Sequence, residues 1–411
     1  MKVHHPKCAG LDVHKASVVA CVRVMTEAGV TYEKRTFGTT TKALYELSEW
    51  ISSYGCTHAV MEATGVYWKP VWHVLEGSVQ LLLANAAHIK GIARPKTDMH
   101  DAQWLADLLA HGLIRGSFVP DQPIQELREL TRTRKQLVQE KTRYVQRIQK
   151  TLEDANVKID GVLTDILGTS GRAMLEAIIA GEADPHKLAE LAHPRVKASR
   201  EALAEALQGR VTQNHRFLLK LYLEQVEHVE AAVDDVDKEV EAALKPFRDE
   251  IRLLKTIPGV SDVSAAILLS EIGADMSRFQ TAAHLVSWAR LCPRNDESAG
   301  KRQSTRIRKG SRWLKPMLIQ LVFAAIRKKP HNYLRAQYYR LKARRGDKKA
   351  RVAVAASILT AIYFVLREKI PYRDLGTDHF DRTAPAKAIA RLVNRLNNLG
   401  YDVELKQRQA A

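Results

Sequence analysis

Cysteine is scarce in this sequence: there are four among 411 residues, and no two are spaced as a CxxC pair. This scarcity argues against a disulfide framework and against a zinc site built on such pairs. The longest mainly apolar run, residues 352–366, falls short of the ~20 residues that span a bilayer, which favours a buried core helix and no membrane partner. The start of the chain has no apolar stretch of the secretory type, so we expect a cytoplasmic protein.

Acidic residues are nearly absent from residues 301–351, which hold 18 Lys and Arg against a single acid, Asp347. Because the whole chain carries a net charge of +18, this segment supplies almost all of it. Aromatic residues such as Trp313 and Tyr333 interrupt the basic run, a pattern that fits phosphate contacts and base stacking better than a merely solvated face. We therefore predict a nucleic-acid-binding surface. Its candidate contacts are Lys301, Arg302, Arg306, Arg308, Lys309 and Arg312.

Hydrophobic periodicity separates an α/β part from helical parts. Strand patterns alternate with helix patterns up to residue 115, which predicts a mixed sheet flanked by helices. After Pro120 and Pro123 the pattern changes to long helices, and apolar residues over 222–243 alternate spacings of four and three, as in a heptad seam. This second long helix is acidic and the first is basic, so the two could pair antiparallel or serve an oligomer.

These shifts in pattern predict the domain organisation. We expect an α/β domain over 1–115, a helical coiled-coil region over 116–250, a third, helical domain over 251–370 and a polar tail over 371–411. The third domain opens on Ile257-Pro258-Gly259-Val260 before an apolar helix, which resembles a helix-hairpin-helix turn whose backbone N–H groups hold phosphate.

Four carboxylates stand out in the α/β part. Asp12 lies within a strand pattern, where an acid is disfavoured unless it is used, and Glu62 ends another strand. Asp98 and Asp101 are three residues apart at a helix start, so they project from one face. If the two strands are neighbours, the four acids converge on hard cations, and two Mg²⁺ ions there suit phosphodiester chemistry.

Each acid also has a structural interpretation. Asp98 and Asp101 could simply cap their helix, because Thr97-Asp98 is a natural N-terminus, and Glu62 could be exposed at its strand end, whereas Asp12 has no comfortable structural role. As an ordered set on this pattern of elements, the four acids favour a metal site. Ser298 lies in a polar loop beside Lys301 and Arg302, where cations could stabilise a serine nucleophile, although most loop serines are only turn residues.

The motifs together resemble the DEDD insertion-sequence transposases, which are relatives of the Piv-type DNA invertases. Gly10-Leu11-Asp12, the EATG stretch 62–65 and the KTDxxDA stretch 96–102 resemble the family's carboxylate motifs. In the second half, the IPGV stretch 257–260, the LCPR stretch 291–294 and Glu297-Ser298 follow the family's order. Two departures are Ala299, where members usually have Gly, and the contracted Arg308-Lys309-Gly310, which carries no serine.

The resemblance implies a fold and a mechanism. It implies a RuvC-like N-terminal domain with the ribonuclease H fold, whose carboxylates Asp12, Glu62, Asp98 and Asp101 hold Mg²⁺. A C-terminal transposase domain would supply Ser298 to attack DNA and form a transient phosphoserine link. It also implies a homo-oligomer, dimer to tetramer, with sites composed from two subunits, a structured bridge RNA as guide, and a bacterial protein that associates with the nucleoid when acting.

Two other functions stay open on the sequence. A metal-dependent junction resolvase would keep the carboxylates but use no serine, so Ser298→Ala would remain active. A non-catalytic nucleic-acid-binding scaffold would tolerate Asp12→Ala, and the presence of all four acids makes it the least favoured of the three.

Overall fold

The computed structural model describes residues 3–63, 65–84, 98–114, 116–293, 296–298, 300–304 and 306–406. Within these ranges it does not describe the side chains of residues 98, 99, 296–298, 302 and 303. The chain forms two compact units, residues 1–119 and residues 120–411. The mixed α/β unit followed by a mainly helical unit confirms the predicted fold class at that level. The predicted division into four domains stays a prediction.

The first unit is built on a mixed sheet of five described strands in the order β3-β2-β1-β4-β5. Strands β1, β2 and β3 form an antiparallel meander, and β4 and β5 add to β1 in parallel. Parallel neighbours need crossover connections, and the helix over residues 41–53 supplies the first of them. The elements are β1 (Lys7–Val13), β2 (Ser17–Thr26), β3 (Gly29–Gly38), α1 (Thr41–Ser53), β4 (His58–Glu62), α2 (Trp68–Leu75), β5 (Gln80–Ala84) and α3 (Asp98–Ala110).

Alternation along the strands sends side chains to two different cores. Ala9, Leu11 and Val13 of β1 belong to the larger core, together with Leu44 and Leu47 of α1. The residues between them face α3 instead, as the joint packing of Cys8 of β1, Val60 of β4 and Leu105 of α3 shows. Both faces of the central strand are therefore buried, which explains why β1 has almost no exposed residue.

The second unit is mainly helical in its described part. Two helices of more than 30 residues dominate its first half, and shorter helices make up most of the rest. The elements are α4 (Gln122–Asp154), α5 (Ile159–Val162), α6 (Thr169–Ala180), α7 (Pro185–Glu190), α8 (Arg200–Leu207), α9 (Gln213–Ala243), α10 (Arg248–Leu254), α11 (Asp262–Ile272), α12 (Ala282–Trp288), β6 (Asp296–Ser298), β7 (Lys301–Ser304), α13 (Leu314–Arg327), α14 (Tyr333–Arg345), α15 (Asp347–Glu368), α16 (His379–Thr383) and α17 (Pro385–Asn397).

The two long helices α4 and α9 pair with each other in antiparallel orientation. Arg134 of α4 forms a two-bond ion pair with Asp237 of α9, and Lys141 Nζ lies 2.6 Å from a carboxylate oxygen of Glu230. A step of seven residues forward on one helix thus matches a step of seven backward on the other, which is one heptad. The antiparallel pairing that the sequence left open is thus observed within the chain, and a role of these helices in an oligomer stays a prediction.

The far end of this helix pair is closed by the short helices α5 to α8. Their apolar residues form one cluster with Ile148 and Leu152 of α4 and Leu219 and Val226 of α9. The long helices are otherwise amphipathic, so this cluster buries apolar surface that a bare pair would expose.

The turn at Gly259 is used for packing. Gly259 has φ +88°, and a Cβ there would lie 2.6 Å from the backbone N of Ala325 in α13. The following helix α11 is buried from Ser264 to Ile272, and its N-terminus is closed by a capping box between Ser261 and Ser264. Phosphate binding by this turn stays a prediction, because the contact observed at the glycine is with a helix.

One helix in the described ranges, Asp347–Glu368, is long and apolar enough to cross a membrane by length and composition. Half of its apolar window is buried inside the protein. Val354, Ile358, Ile362 and Leu366 are all buried on this helix. It has the burial of a core helix, as predicted for residues 352–366.

The antiparallel register of α4 and α9 predicts a charge-swap result. Arg134→Glu and Asp237→Arg should each lower the free energy of unfolding by about 1 kcal/mol, because each places like charges together in a partly exposed pair. The double variant should recover most of that loss. The measurement is the urea midpoint of the three variants, with the charge reversal Lys197→Glu at an exposed position of the second unit as the control. Additive losses in the double variant would contradict this register.

Candidate functional site

Asp12 and Glu62 lie on the same face of the sheet. Strands β1 and β4 are parallel and in register at Leu11 and Met61, so the next position along each strand brings Asp12 beside Glu62. Leu11 and Met61 point to the larger core, so alternation directs both acids to the face that α3 covers. Asp12 is 9% exposed and Glu62 is partly buried at the end of its strand. The condition stated from the sequence, that these two strands are neighbours, is thus met.

Helix α3 approaches this face unusually closely because β1 has a glycine two residues before Asp12. A Cβ at Gly10 would lie 2.1 Å from the carbonyl oxygen of Ala102 and 2.6 Å from the amide nitrogen of Ala106. A residue with a side chain therefore could not occupy this position without moving the helix. The contact places the first turns of α3, which carry Asp98 and Asp101, against the strand that carries Asp12.

A buried ion pair attaches the same helix to the meander. Arg23 of β2 is 3% exposed and donates from Nε to Oδ1 of Asp107 at 3.0 Å. The hydroxyl of Tyr32 on β3 donates to the same oxygen at 2.7 Å. Burial and the Asp107 carboxylate raise the pKa of Tyr32, which keeps the phenol protonated as a donor. These contacts set the position of α3 along the sheet and thereby of its acidic first turn.

The sequence analysis missed His14. Its Nε2 lies 3.3 Å from Oδ2 of Asp12, and its side chain is 43% exposed. Asp12 is near the end of β1, and His14 is the first residue after the strand. An Asp-x-His pattern at the end of a buried strand was the available signal.

The other two acids of the predicted set are on α3. Asp101 has a carboxylate oxygen, Oδ1, that is removed from solvent. Asp98 begins α3, but its side chain is outside the described residues, as are Lys96 and Thr97 of the same motif. The convergence of all four acids therefore stays a prediction.

The donor chemistry of this face suits a hard cation. Asp12, Glu62 and Asp101 offer carboxylate oxygens, which are the ligands that Mg²⁺ takes in proteins. Among the side chains that the structure describes, no group of three or more His, Cys, Asp or Glu is close enough together to hold a metal ion. The described acids thus supply the right donor type but do not complete a ligand set by themselves.

Cysteine takes no part in this site. Cys8 and Cys21 flank Gly10 and Asp12 in the sheet but are buried, and burial raises the pKa of each thiol to about 12. A thiol with such a pKa is protonated at neutral pH and is a poor nucleophile.

Ser298 lies in a β-hairpin of the second unit. The sequence predicted a polar loop here, and that prediction was incomplete, because Asp296–Ser298 pairs antiparallel with Lys301–Ser304. Ser298 pairs with Lys301 across a two-residue turn in which Gly300 has φ +73°. The backbone therefore holds the serine next to a lysine at the hairpin tip, while the side chain of Ser298, like that of Arg302, is outside the described residues.

The predicted basic contacts are on the surface. Lys301, Arg306, Arg308, Lys309 and Arg312 are all exposed, and we call these five residues the basic surface. They belong to the hairpin and to the chain that leads from it to α13. Exposed guanidinium and ammonium groups on a folded segment are available to phosphates.

Two family models match this chain. A transposase model of the DEDD-type IS110 group matches residues 9–157, and the model described as Transposase IS116/IS110/IS902 family matches residues 251–340. Together they cover more than half of the chain and include the three carboxylate motifs and Ser298. The class of protein is therefore a transposase. The chain belongs to the IS110 family of DEDD transposases, which confirms the resemblance of its motifs.

Curated relatives are similar at low identity. The insertion element IS110 uncharacterized 43.6 kDa protein of Streptomyces coelicolor is 26% identical over 291 residues, which is 66% of this chain and 71% of that protein. The pilin gene-inverting protein of Moraxella bovis is 23% identical over 381 residues, which is 88% of this chain and 96% of that protein. The pilin gene-inverting protein of Moraxella lacunata is similar to the same extent.

The close approach at Gly10 predicts a selective loss of stability. Gly10→Ala should lower the free energy of unfolding of the first unit by about 1–3 kcal/mol, because the added methyl overlaps the backbone of α3. Gly116→Ala in the same unit is the control, since its new methyl would meet Leu82 at an ordinary 3.8 Å. Urea unfolding followed by circular dichroism measures both. Equal midpoints for the two variants would show that α3 does not need this contact.

Proposed function

We propose that this protein is a DNA recombinase of an insertion sequence that cuts and rejoins DNA with metal assistance and a serine nucleophile. The observation that carries the proposal is the shared sheet face of Asp12 and Glu62, covered by the helix that bears Asp101. The family match to the IS110 transposases and the pilin gene-inverting relatives supports recombination as the reaction. DNA is then the substrate.

We also propose that the first unit is a RuvC-like domain of the ribonuclease H type. An antiparallel meander continued by two parallel strands, with the acid-bearing strand β1 at the centre, supports this assignment. The central strand has both faces covered, so a carboxylate at its end is held rigidly. Asp12 and its neighbour Glu62 thereby gain a fixed position on the sheet.

Asp12, Glu62, Asp98 and Asp101 are the residues that would hold the metal, with two Mg²⁺ ions as the expected occupancy. When bound, Mg²⁺ supplies positive charge to the attacking and leaving oxygens of a phosphodiester. These acids would bind the ions and orient their charge, and Asp12, which is 9% exposed, would do so from a buried position. His14 is a further residue at this face, and its imidazole contacts the carboxylate of Asp12.

Ser298 is the proposed nucleophile. Its Oγ attacks phosphorus, the bond from phosphorus to the leaving sugar oxygen breaks, and the serine proton ends on solvent or on that oxygen. The product is a phosphoserine ester plus a free DNA hydroxyl, and attack by another DNA hydroxyl reverses the step on a new strand. Lys301, paired with Ser298 across the hairpin, supports the assignment by placing a cation beside the developing negative charge.

The partners follow from the same proposal. The basic surface binds nucleic acid, and a structured bridge RNA encoded with the element would guide the choice of DNA. A homo-oligomer, dimer to tetramer, would bring two DNA molecules together. We expect the protein to act in the bacterial cytoplasm at the nucleoid.

A trapping experiment tests the chemistry. Protein co-expressed with its full element should carry a nucleotide on Ser298 after denaturation and protease digestion, as detected by mass spectrometry. Ser298→Ala removes the attacking oxygen and Asp12→Asn removes a metal ligand at constant shape, so both variants should lose the adduct. Mg²⁺-dependent cleavage that persists in Ser298→Ala without an adduct would favour the resolvase alternative. Recombination that persists in Asp12→Asn would favour the scaffold alternative.

A salt titration tests the basic surface. Arg306→Gln with Arg308→Gln should weaken DNA binding and reduce the slope of log affinity against log salt by about 1.8, because each lost duplex phosphate contact removes about 0.9 from that slope. The control removes two exposed charges elsewhere, with Lys238→Gln and Arg252→Gln. A slope equal to that of the control would place Arg306 and Arg308 away from the DNA.

A further inference from the structure

A polar cavity of about 510 Å³ lies in the second unit between helix α4 and the chain just before α13. We call it the Trp313 pocket. Lys135, Gln139 and Arg143 of α4 line one side, and Arg312 and Trp313 line the other. Among these residues only Arg312 belongs to the predicted contacts of the basic run, and α4 has no role in the site described above.

Cations surround the indole of Trp313. The Arg312 guanidinium lies 4.8 Å from a ring centroid of Trp313, and Lys135 Nζ and the Arg132 guanidinium each lie 5.3 Å from one. Such cation–π contacts hold flexible side chains in place. The charge of Arg132 is already balanced, because its guanidinium donates two bonds to the Glu271 carboxylate at 2.7 and 3.0 Å. Lys135 and Arg312 are therefore the cations at the ring that a ligand can recruit.

The pocket has an excess of positive charge. Lys135, Arg143 and Arg312 face it together with a single acid, Glu140. Burial lowers the pKa of Lys135, while the Glu271 carboxylate opposes that shift and the Arg312 guanidinium adds a smaller lowering. A bound anion would offset the cost of burying the Lys135 charge. The site thus fits a ligand that carries negative charge.

The volume of the Trp313 pocket favours a single strand over a lone phosphate or a duplex. The cavity is larger than a single phosphate needs, and it is far smaller than a duplex, whose two grooves and backbones span tens of ångströms. The amides of Gln136 and Gln139 add donors and acceptors that suit the edge of a base. Basic residues that track a backbone, beside an aromatic ring, are the usual elements of a single-strand binding site.

We propose that the Trp313 pocket binds an unpaired nucleic-acid strand through its phosphodiester backbone. Lys135, Arg143 and Arg312 contact the phosphates, and Trp313 is a positioning residue that holds Lys135 and Arg312 in place. The strand continues onto the basic surface, to which Arg312 also belongs. This inference rests on the proposed function in that it names where a nucleic-acid partner is held when it is not base-paired.

The test is binding of fluorescein-labelled twelve-nucleotide strands to the full-length protein, followed by anisotropy between 50 and 200 mM KCl. Oligo-dT and oligo-U are the two probes, and the tighter one identifies whether unpaired DNA or unpaired RNA occupies the pocket. Lys135→Gln with Arg143→Gln should weaken binding roughly tenfold and reduce the salt slope by about 1.4, since each single-strand phosphate contact contributes about 0.7. Arg143 is exposed but Lys135 is half-buried, so the urea midpoint of the variant must match that of the wild type for the comparison to count.

The matched control removes the same net charge outside the pocket. Lys150→Gln with Lys220→Gln changes two exposed lysines on α4 and α9, and its binding should stay within about twofold of the wild type. Glu140→Gln has the opposite expected sign and should tighten binding by roughly two- to fivefold, because it removes the acid of the pocket. Trp313→Ala should weaken binding and Trp313→Phe should restore most of it, since the phenyl ring keeps the cation contacts.

Two outcomes would overturn the inference. One is a pocket variant that binds both probes as the control variant does, and the other is a wild-type protein that binds neither probe. Both can occur while the Ser298 adduct forms, in which case only the pocket assignment fails. Conversely, strand binding that depends on Lys135 and Arg143 in a protein that forms no adduct would support the pocket proposal and contradict the serine mechanism.

Discussion

The close contact between Gly10 of β1 and the backbone of helix α3 is the constraint on which the first unit depends. It brings a helix directly onto the central strand at the point where the strand carries Asp12. Arg23, buried with its charge, and Tyr32 both bind Asp107 and fix the helix along the sheet. A buried arginine without its carboxylate would cost several kcal/mol, so this attachment is strongly preferred over alternatives. The acidic first turn of α3 is positioned as a consequence.

The second unit is organised around its two long helices, with the short helices α5 to α8 at one end and α11 packed near the other. The antiparallel pair of α4 and α9 is held together by apolar residues at heptad positions and by two ion pairs that are one heptad apart. One end is closed by the short helices, and the N-terminal half of α4 packs on α11 through hydrogen bonds from Arg128 to the carbonyls of Ser270 and Glu271. The same helix therefore provides both a scaffold and, at Lys135 and Arg143, one wall of a basic pocket.

Much of the fold was accessible from local pattern. The helix over 41–53, the strands around Asp12 and Glu62, and the core character of residues 352–366 follow from periodicity, since period 2 and period 3.6 place apolar residues on one face. The β-hairpin at Ser298 was not accessible. Its residues are polar, and its pairing depends on a turn at Gly300 and on backbone bonds rather than on a buried face.

The order of the motifs along the chain was enough to identify the family, and the positive charge of residues 301–351 was enough to predict a negatively charged partner. The sequence pattern also indicated Asp12 as a functional residue, because an acid within an apolar strand is costly to bury unless it has a function. Only the tertiary structure placed Glu62 beside Asp12, added His14, and brought Lys135 and Trp313, 178 positions apart, to one pocket. Such contacts depend on strand register and helix packing, which are set by the whole core and leave no periodic trace in the sequence.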